Sequence, residues 1–202
     1  AYEMSASLVG SEMCIIDRQG AIAEHQEILL QIPHTKIRIV KTAKDLDCID
    51  GLILPGGEST AIGKLLDYFS LKEILRQKII SGLPVFGTCA GLILLAKNIE
   101  NQTNTHLATM DITVKRNGYG SQLDSFSTNL LIPTIDKNMP IPLVFIRAPY
   151  ITKTDKDVQI LATLDNKIIA ARQKNMLVSS FHPELTLSLI HISEPTRLAL
   201  IS

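Results

Sequence analysis

The sequence predicts an α/β fold with a mainly parallel central sheet and an added antiparallel section. Between residues 21 and 97, segments with helical periodicity alternate with short apolar segments, a pattern typical of a parallel sheet covered by helices. From Asp111 onwards the pattern changes to short strands separated by turns at hairpin spacing. The 202 residues, 46% of them hydrophobic, can bury one sizeable core, which favours a single domain.

The elements of the first half follow from periodicity. Ile22, Ile28 and Leu29 recur among polar residues at helical spacing. Residues 37–40 alternate as a strand, and residues 51–54 are continuously apolar, as in a strand buried on both faces. We predict helices at 21–31, 61–68, 71–80 and 92–97, and strands at 37–40, 51–54 and 83–86.

The second half is rich in β-forming residues between turn signals. We predict strands at 111–114, 126–132, 143–146, 158–162, 168–171 and 176–178. Since short turns join antiparallel neighbours, we expect these strands to form the antiparallel section.

Charge and cysteine content exclude several classes of function. Twenty basic residues balance twenty acidic ones, so the chain has no electrostatic footprint for nucleic acid or an anionic membrane. No apolar run reaches membrane-spanning length and no signal-like segment opens the chain, so we expect a cytoplasmic protein. Cys14, Cys48 and Cys89 are odd in number and widely spaced, which implies neither a disulfide framework nor a zinc site.

Both ends of the chain resemble translated DNA adapter. Residues 8–15 and 187–197 can be encoded by strings that are reverse complements of each other over their shared length. Both strings resemble the transposase adapter of short-read library preparation. We therefore expect residues 1–18 and 187–202 to be adapter-encoded and residues 19–186 to form the domain. Residues 13–16 are apolar enough to form a strand whatever their origin.

The stretch Gly87-Thr88-Cys89-Ala90-Gly91 has the features of a nucleophile elbow. A strand-like segment precedes it and a helical segment follows, so Cys89 lies on a strand-to-helix turn whose small neighbours allow a tight backbone. Such a turn places the sulfur at a helix N-terminus, which favours the thiolate, and lets the Ala90 N–H face a developing oxyanion. The alternative is that Cys89 is a small buried hydrophobe ahead of a core helix.

A second motif, Pro55-Gly56-Gly57-Glu58-Ser59-Thr60, follows the predicted strand at 51–54. Its glycines let the backbone approach a ligand closely, and Glu58, Ser59 or Thr60 can cap the next helix. An N–H group on such a loop is the usual source of the second oxyanion donor. The alternative is a simple turn.

A third motif, Phe181-His182-Pro183-Glu184, follows the last predicted strand. In an extended segment His182 and Glu184 face the same way about 6 to 7 Å apart, and Pro183 stiffens that geometry. The carboxylate can then orient the imidazole, which takes the thiol proton and later protonates the leaving amine.

Other polar residues have weaker sequence context. Arg116 and Arg147 each lie in a turn-like segment, and their simplest interpretation is a solvated side chain. The remaining residues that could carry chemistry show no motif, and we expect them to be structural or surface residues: Cys48, His25, His34 and His106.

Together, the three motifs resemble the class I glutamine amidotransferases, and most closely the family of glutaminase subunits of pyridoxal 5′-phosphate synthase. The resemblance covers about residues 19–186 and implies a flavodoxin-like three-layer α/β/α sandwich. The stretches that carry it are Leu-Pro-Gly-Gly-Glu-Ser-Thr at 54–60, Gly-Thr-Cys-Ala-Gly at 87–91, Arg-Asn-Gly-Tyr-Gly-Ser-Gln at 116–122, Ile-Arg-Ala-Pro at 146–149 and Phe-His-Pro-Glu-Leu at 181–185.

The resemblance implies a role for each site residue. Cys89 is the nucleophile, His182 the general base and acid, and Glu184 the residue that orients His182. The N–H groups of Gly57 and Ala90 form the oxyanion hole. An arginine suits the α-carboxylate of the substrate, and the implied glutamine site is lined by Gly56, Gly57, Glu58, Arg116, Ile146 and Arg147.

The resemblance also implies a reaction and a partner. L-Glutamine is hydrolysed through a Cys thioester without a metal or organic cofactor. The ammonia passes to a (β/α)8-barrel synthase subunit in a large heteromeric assembly, which makes pyridoxal 5′-phosphate from a pentose phosphate and a triose phosphate. Three alternatives stay open: the glutaminase of another amidotransferase such as imidazole glycerol phosphate synthase, a non-catalytic interaction subunit on the same fold, and a cysteine peptidase or other thiol hydrolase.

Overall fold

A computed structural model describes residues 11–16, 22–32, 35–47, 49–119, 125–133 and 137–186. Several parts of the sequence analysis lie outside these residues, namely the ends 1–10, 17–18 and 187–202, the first residues of the expected domain at 19–20, residues 120–122 of the stretch 116–122, His34 and Cys48.

The first half alternates strands and helices as the periodicity predicts. In chain order its elements are β1 (Ser11–Ile16), α1 (Ile22–Leu29), β2 (Thr35–Val40), β3 (Gly51–Leu54), α2 (Ser59–Tyr68), α3 (Lys72–Ile80), β4 (Val85–Thr88) and α4 (Ala90–Leu95), with a short 3₁₀ helix at Ala43–Leu46. β1 includes residues 13–16, the segment that is apolar enough to form a strand whatever its origin.

The regular elements described in the second half are almost all strands. Its elements are β5 (Ala96–Ile99), β6 (Met110–Lys115), β7 (Ser125–Leu130), β8 (Ile141–Ile146), β9 (Tyr150–Thr154), β10 (Gln159–Leu164), β11 (Lys167–Gln173) and β12 (Met176–Ser179), followed by a 3₁₀ turn at Pro183–Leu185. In the part of the chain described here, no helix is long and apolar enough to span a membrane.

The parallel half of the main sheet has the strand order β2-β1-β3-β4-β12, and each neighbouring pair in it is parallel. This is the strand order of flavodoxin-like folds, in which ligands bind at the carboxyl ends of the strands. β12 comes from far along the chain and pairs with β4 in register, with Ser179 opposite Thr88. The segment after β12 therefore begins beside Cys89, whose N–H donates to the Ser179 carbonyl at 2.8 Å.

The antiparallel section extends the same sheet beyond β12. β11 pairs antiparallel with β12, β9 and β10, and β9 pairs antiparallel with β6. β5 closes this edge by pairing parallel to β6. β7 and β8 form a separate antiparallel hairpin. The predicted combination of a parallel sheet with antiparallel strands is confirmed.

Apolar side chains pack on both faces of the sheet, because successive residues of a strand point to opposite sides. Leu52 and Leu54 of β3 belong to the cluster under α2, α3 and α4. Ile53 belongs to a second cluster, formed with α1 and the β7–β8 hairpin. In the described part of the chain, α1 and the β7–β8 hairpin pack on the second face. The His182 N–H, after the end of β12, donates to the Val144 carbonyl of this hairpin.

Three elements differ from the sequence prediction. The helix predicted at 92–97 ends at Leu95, and Ala96 already begins β5. Neither β5 nor β9 was predicted, because each carries a weak apolar pattern: Lys97 and Asn98 are exposed in β5, and Ile151 is the only fully buried residue of β9. Pairing with β6 makes both segments strands.

Candidate active site

Cys89 lies at the junction of β4 and α4, as the elbow motif predicts. Its backbone has φ 49° and ψ −97°, a conformation that costs energy for a residue with a side chain and is concentrated at functional sites. The helix can approach β3 only without a side chain at Gly91, where a Cβ would lie 2.1 Å from the Leu54 carbonyl oxygen. The small residues of the motif are therefore required by packing.

His182 and Glu184 form a buried pair, with Nδ1 of the imidazole 2.7 Å from Oε1 of the carboxylate. The expected extended geometry is wrong: Pro183 begins the 3₁₀ turn Pro183–Leu185. A proline is favoured at the first position of such a turn because it lacks the N–H that would be unpaired there. The turn brings the two side chains into hydrogen-bond contact, and the His182 N–H is anchored on the Val144 carbonyl of β8 at 2.8 Å.

The environment of His182 favours its charged form. Burial is the largest single influence and lowers the pKa, since a buried cation loses hydration. The hydrogen bonds and negative charges of Cys89 and Glu184 outweigh burial and raise the pKa of His182 to about 10. The site therefore holds a protonated imidazole between the Cys89 sulfur and the Glu184 carboxylate at neutral pH.

At Gly56, the loop that follows β3 passes close to both His182 and Cys89. A Cβ at this position would lie 2.5 Å from Cε1 of His182 and 3.5 Å from Cβ of Cys89. Only a residue without a side chain fits between the imidazole and the cysteine. The loop after β3 and the elbow after β4 thus meet the segment after β12 at one edge of the sheet.

A cavity of about 350 Å³ opens beside this junction. Its lining includes eight residues that the sequence analysis assigned to the site: Gly56, Gly57, Glu58, Cys89, Arg116, Ile146, Arg147 and His182. Glu184 lies behind His182. Four lining residues were not assigned from sequence: Ser59, Asn117, Pro149 and Ile93. The first three lie inside quoted motifs, whereas Ile93 had no signal beyond its apolar helix.

Glu58 connects the helix cap to the cavity. It is the N-cap of α2, and its carboxylate accepts from the N–H groups of Thr60 at 3.1 Å and Ala61 at 2.6 Å. Partial burial pushes the pKa of Glu58 upwards, but these hydrogen bonds and the Arg116 charge outweigh it and hold the pKa below its usual range. Glu58 is therefore ionised at neutral pH.

Arg116 is not a solvated side chain. Its guanidinium contacts Glu58 Oε1 at 3.0 Å and donates to the Thr60 hydroxyl at 3.1 Å. These contacts hold the positively charged guanidinium group of Arg116 in the wall of the cavity. Arg147 also lines the cavity, and its φ of 42° is unusual for a residue with a side chain. The carbonyl of the preceding residue, Ile146, faces the Cys89 sulfur at 3.9 Å.

His25 is brought to the site by the fold alone. It lies on the buried face of α1, fully excluded from solvent, with Nε2 3.6 Å from Oε2 of Glu184. No motif pointed to it; its helical spacing from Ile28 and Leu29 indicates only an inward-facing side chain. Among the described residues, no group of His, Cys, Asp and Glu side chains is arranged to hold a metal ion.

Comparison with known proteins agrees with this geometry. The model of the SNO glutamine amidotransferase family matches residues 15–194. The pyridoxal 5′-phosphate synthase subunit PdxT of Carboxydothermus hydrogenoformans is 55% identical over 172 residues, covering 85% of this chain and 89% of that protein. The subunit of the same name from Clostridium botulinum is 54% identical with the same coverage.

A solved structure supports the same relationship. A crystal structure described as a glutamine amidotransferase aligns with a TM-score of 0.80 and 35% identity, covering 93% of this chain and 95% of that one. PurLQS from Thermotoga maritima, at 14% identity and a TM-score of 0.63, shares the fold. Since the family model covers most of the chain and relatives exceed half identity, this chain belongs to the SNO glutamine amidotransferase family.

Proposed function

We propose that this chain is the glutaminase subunit of a pyridoxal 5′-phosphate synthase, which hydrolyses L-glutamine to glutamate and ammonia. The observation that carries the proposal is the meeting of Cys89 and His182 at the wall of one polar cavity, with Glu184 hydrogen-bonded behind the imidazole. This arrangement provides a nucleophile, a proton carrier and a residue that orients the carrier.

The charges around the cavity suit a free amino acid. The guanidinium groups of Arg116 and Arg147 can receive the α-carboxylate, for which a planar two-donor group is well matched. The ionised carboxylate of Glu58 can face the α-ammonium group. Gly56, Gly57 and Ile146 complete the proposed glutamine site, leaving the side-chain amide directed at Cys89.

The first half of the reaction is attack on the amide. The Cys89 sulfur forms a bond to the amide carbon, and the carbonyl electrons move to oxygen, which accepts hydrogen bonds from the N–H groups of Gly57 and Ala90. The His182 imidazolium gives a proton to the leaving nitrogen as the carbon–nitrogen bond breaks. Ammonia leaves and a thioester to Cys89 remains.

The second half restores the enzyme. Neutral His182 takes a proton from water as the water oxygen bonds to the thioester carbon. The carbon–sulfur bond then breaks, so glutamate leaves and Cys89 returns to the thiolate beside a protonated imidazole. Glu184 holds Nδ1 of His182 throughout, which keeps Nε2 directed at the reacting atoms.

The proposed partner is the (β/α)8-barrel synthase subunit, which receives ammonia within a large heteromeric assembly. Support comes from the names of the curated relatives, which are subunits of pyridoxal 5′-phosphate synthase at 50 to 55% identity. We also propose that the assembly works in the cytoplasm.

We further propose that residues 19–186 form the native domain and that residues 1–18 and 187–202 are adapter-encoded. Support comes from the reverse-complement coding of the two ends. The nucleotide sequence tests the proposal, and codons at residues 187–197 that differ from the adapter would contradict it.

Glutamate release from L-glutamine tests the function, measured with and without the synthase subunit of a relative. We expect activity that rises with the synthase and falls by at least about 10³-fold in Cys89→Ala. Cys48→Ala is the matched control, because no motif surrounds that cysteine. Folded protein without activity in either condition would favour a non-catalytic subunit. Activity indifferent to the synthase would retain the triad and reject the partner.

A further inference from the structure

The carboxylate of Glu184 has two oxygens with different neighbours. Oε1 is hydrogen-bonded to His182, whereas Oε2 faces α1, where Nε2 of His25 lies 3.6 Å away. Both side chains are completely shielded from solvent. His25 thus extends the line of side chains that begins at Cys89 and continues through His182.

A buried carboxylate oxygen requires a donor. Oε2 of Glu184 has no hydrogen bond among the described residues, and a buried carboxylate oxygen without a donor is unfavourable in proteins. Ile28 and Leu29, on the same helix as His25, belong to the hydrophobic cluster on this face of the sheet. Since the side chains of His25 and Glu184 have no exposed surface, we expect a neighbouring side chain to supply the donor.

We propose that His25 is a positioning residue for the triad, donating its Nε2–H to Oε2 of Glu184 and so holding Oε1 against His182. The inference rests on the proposed glutaminase function, since it assigns a further residue to the same reaction. His25 touches neither substrate nor the reacting atoms and transfers no proton. It acts through Glu184 alone.

The distance of 3.6 Å fits a contact that tightens when the site is loaded. An N–H···O hydrogen bond is about 2.7 to 3.2 Å long, so a movement of roughly half an ångström closes it, and hydrogen bonds at active sites are often long before substrate binds. Glu184 belongs to a three-residue 3₁₀ turn, and of its two carboxylate oxygens only Oε1 is hydrogen-bonded, to His182. Contact with α1 supplies the missing restraint.

Two substitutions of His25 separate positioning from packing. Gln places an N–H donor close to the position of Nε2, whereas Leu keeps apolar volume and removes the donor. With the full chain and the synthase subunit, we expect His25→Leu to lower kcat for glutamine about tenfold or more with little change in KM, and His25→Gln to retain most of kcat. Glu27→Gln, at an exposed position of the same helix, is the matched control.

A second readout does not depend on turnover. The proton on Nδ1 of His182 is held by Glu184 and is expected to give a downfield resonance in the NMR spectrum. The resonance should persist in His25→Gln and shift upfield or disappear in His25→Leu. If His25→Leu does not fold, His25→Asn takes its place, because its shorter amide cannot reach Oε2.

The outcomes distinguish this inference from the function on which it rests. A wild-type chain without glutaminase activity, whose His182 resonance still depends on residue 25, would remove the function and keep the positioning contact. A folded His25→Leu variant that retains both the resonance and kcat would overturn the inference. Equal loss in His25→Gln and His25→Leu would also overturn it, since packing alone would then explain the effect.

Discussion

At the scale of single residues, Gly56 leaves no space for a side chain. Its added Cβ would lie 2.5 Å from Cε1 and 3.0 Å from Nδ1 of His182. We predict that Gly56→Ala lowers kcat for glutamine hydrolysis about 10²-fold or more, because a small displacement of the His182 imidazole takes it out of position for proton transfer. Steady-state kinetics and circular dichroism check the prediction.

The matched control is another glycine, Gly82. A Cβ there meets no atom within 4 Å, although φ is 109°, so Gly82→Ala is expected to cost about 1 kcal/mol of stability and leave kcat unchanged. Wild-type kcat in a folded Gly56→Ala variant would contradict the steric argument.

His182 makes its own contribution to the pH dependence of stability. The pKa of His182 is raised from 6.5 to about 10 in the folded protein, so the native state binds a proton that the unfolded state releases in this window. The stabilisation is fully present below pH 6.5 and is lost as the pH rises towards 10. We predict that the difference in free energy of unfolding between wild type and His182→Gln shrinks across this range.

Urea unfolding at a series of pH values measures that difference. The same comparison in a Cys89→Ala background separates the influence of Glu184 from that of the cysteine. A difference that stays constant from neutral pH to pH 10 would show that His182 is not protonated in the folded protein.

At the scale of elements, the N-terminus of α2 serves both the helix and the cavity. Glu58 accepts from two N–H groups of the first turn and contacts Arg116. We predict that Glu58→Ala lowers stability by about 1 kcal/mol through loss of the cap. The same change should raise KM for glutamine several-fold, because the α-ammonium group loses a partner and Arg116 loses an anchor. Thermal unfolding and steady-state kinetics measure the two effects.

The control for this prediction is a capping carboxylate far from the cavity. Asp45 accepts from the N–H groups of Lys41 and Thr42 at the short 3₁₀ helix Ala43–Leu46. Asp45→Ala should lower stability and leave KM unchanged. If both variants raised KM equally, general destabilisation rather than Arg116 would be the cause.

At the scale of the whole molecule, the site is built on the most deeply buried strands. Every residue of β3, β4 and β12 is buried, whereas β7 alternates exposed and half-buried residues in a two-stranded hairpin. We predict that amides of β4 and β12 exchange with solvent only through global unfolding, at least about 100-fold more slowly than those of β7. Hydrogen exchange with mass spectrometry measures both rates.

Denaturant distinguishes the two routes of exchange. Low urea should accelerate exchange in β4 and β12 and leave β7 nearly unchanged, because local opening exposes little surface. Equal exchange in all strands would mean that the hairpin and the parallel sheet open as one unit.

Much of the fold and of the candidate site follows from local sequence. Periodicity is a property of neighbouring residues, so the helices around Ile22–Leu29 and Lys72–Ile80 and the strand Gly51–Leu54 were predictable. Likewise, the elbow at Cys89 was predictable because its small residues all lie within the five-residue stretch 87–91. The roles assigned to Cys89, His182 and Glu184 stay predictions until they are measured.

Pairing between distant segments decided the rest. β5 and β9 are strands because β6 lies beside them, and Arg116 is held because Glu58 lies across the cavity. His25 and Glu184 meet only when α1 packs against the turn that follows β12. The sequence by itself determined local elements and motif chemistry, whereas the tertiary structure decided which side chains meet, because those contacts join residues whose separation along the chain carries no local signal.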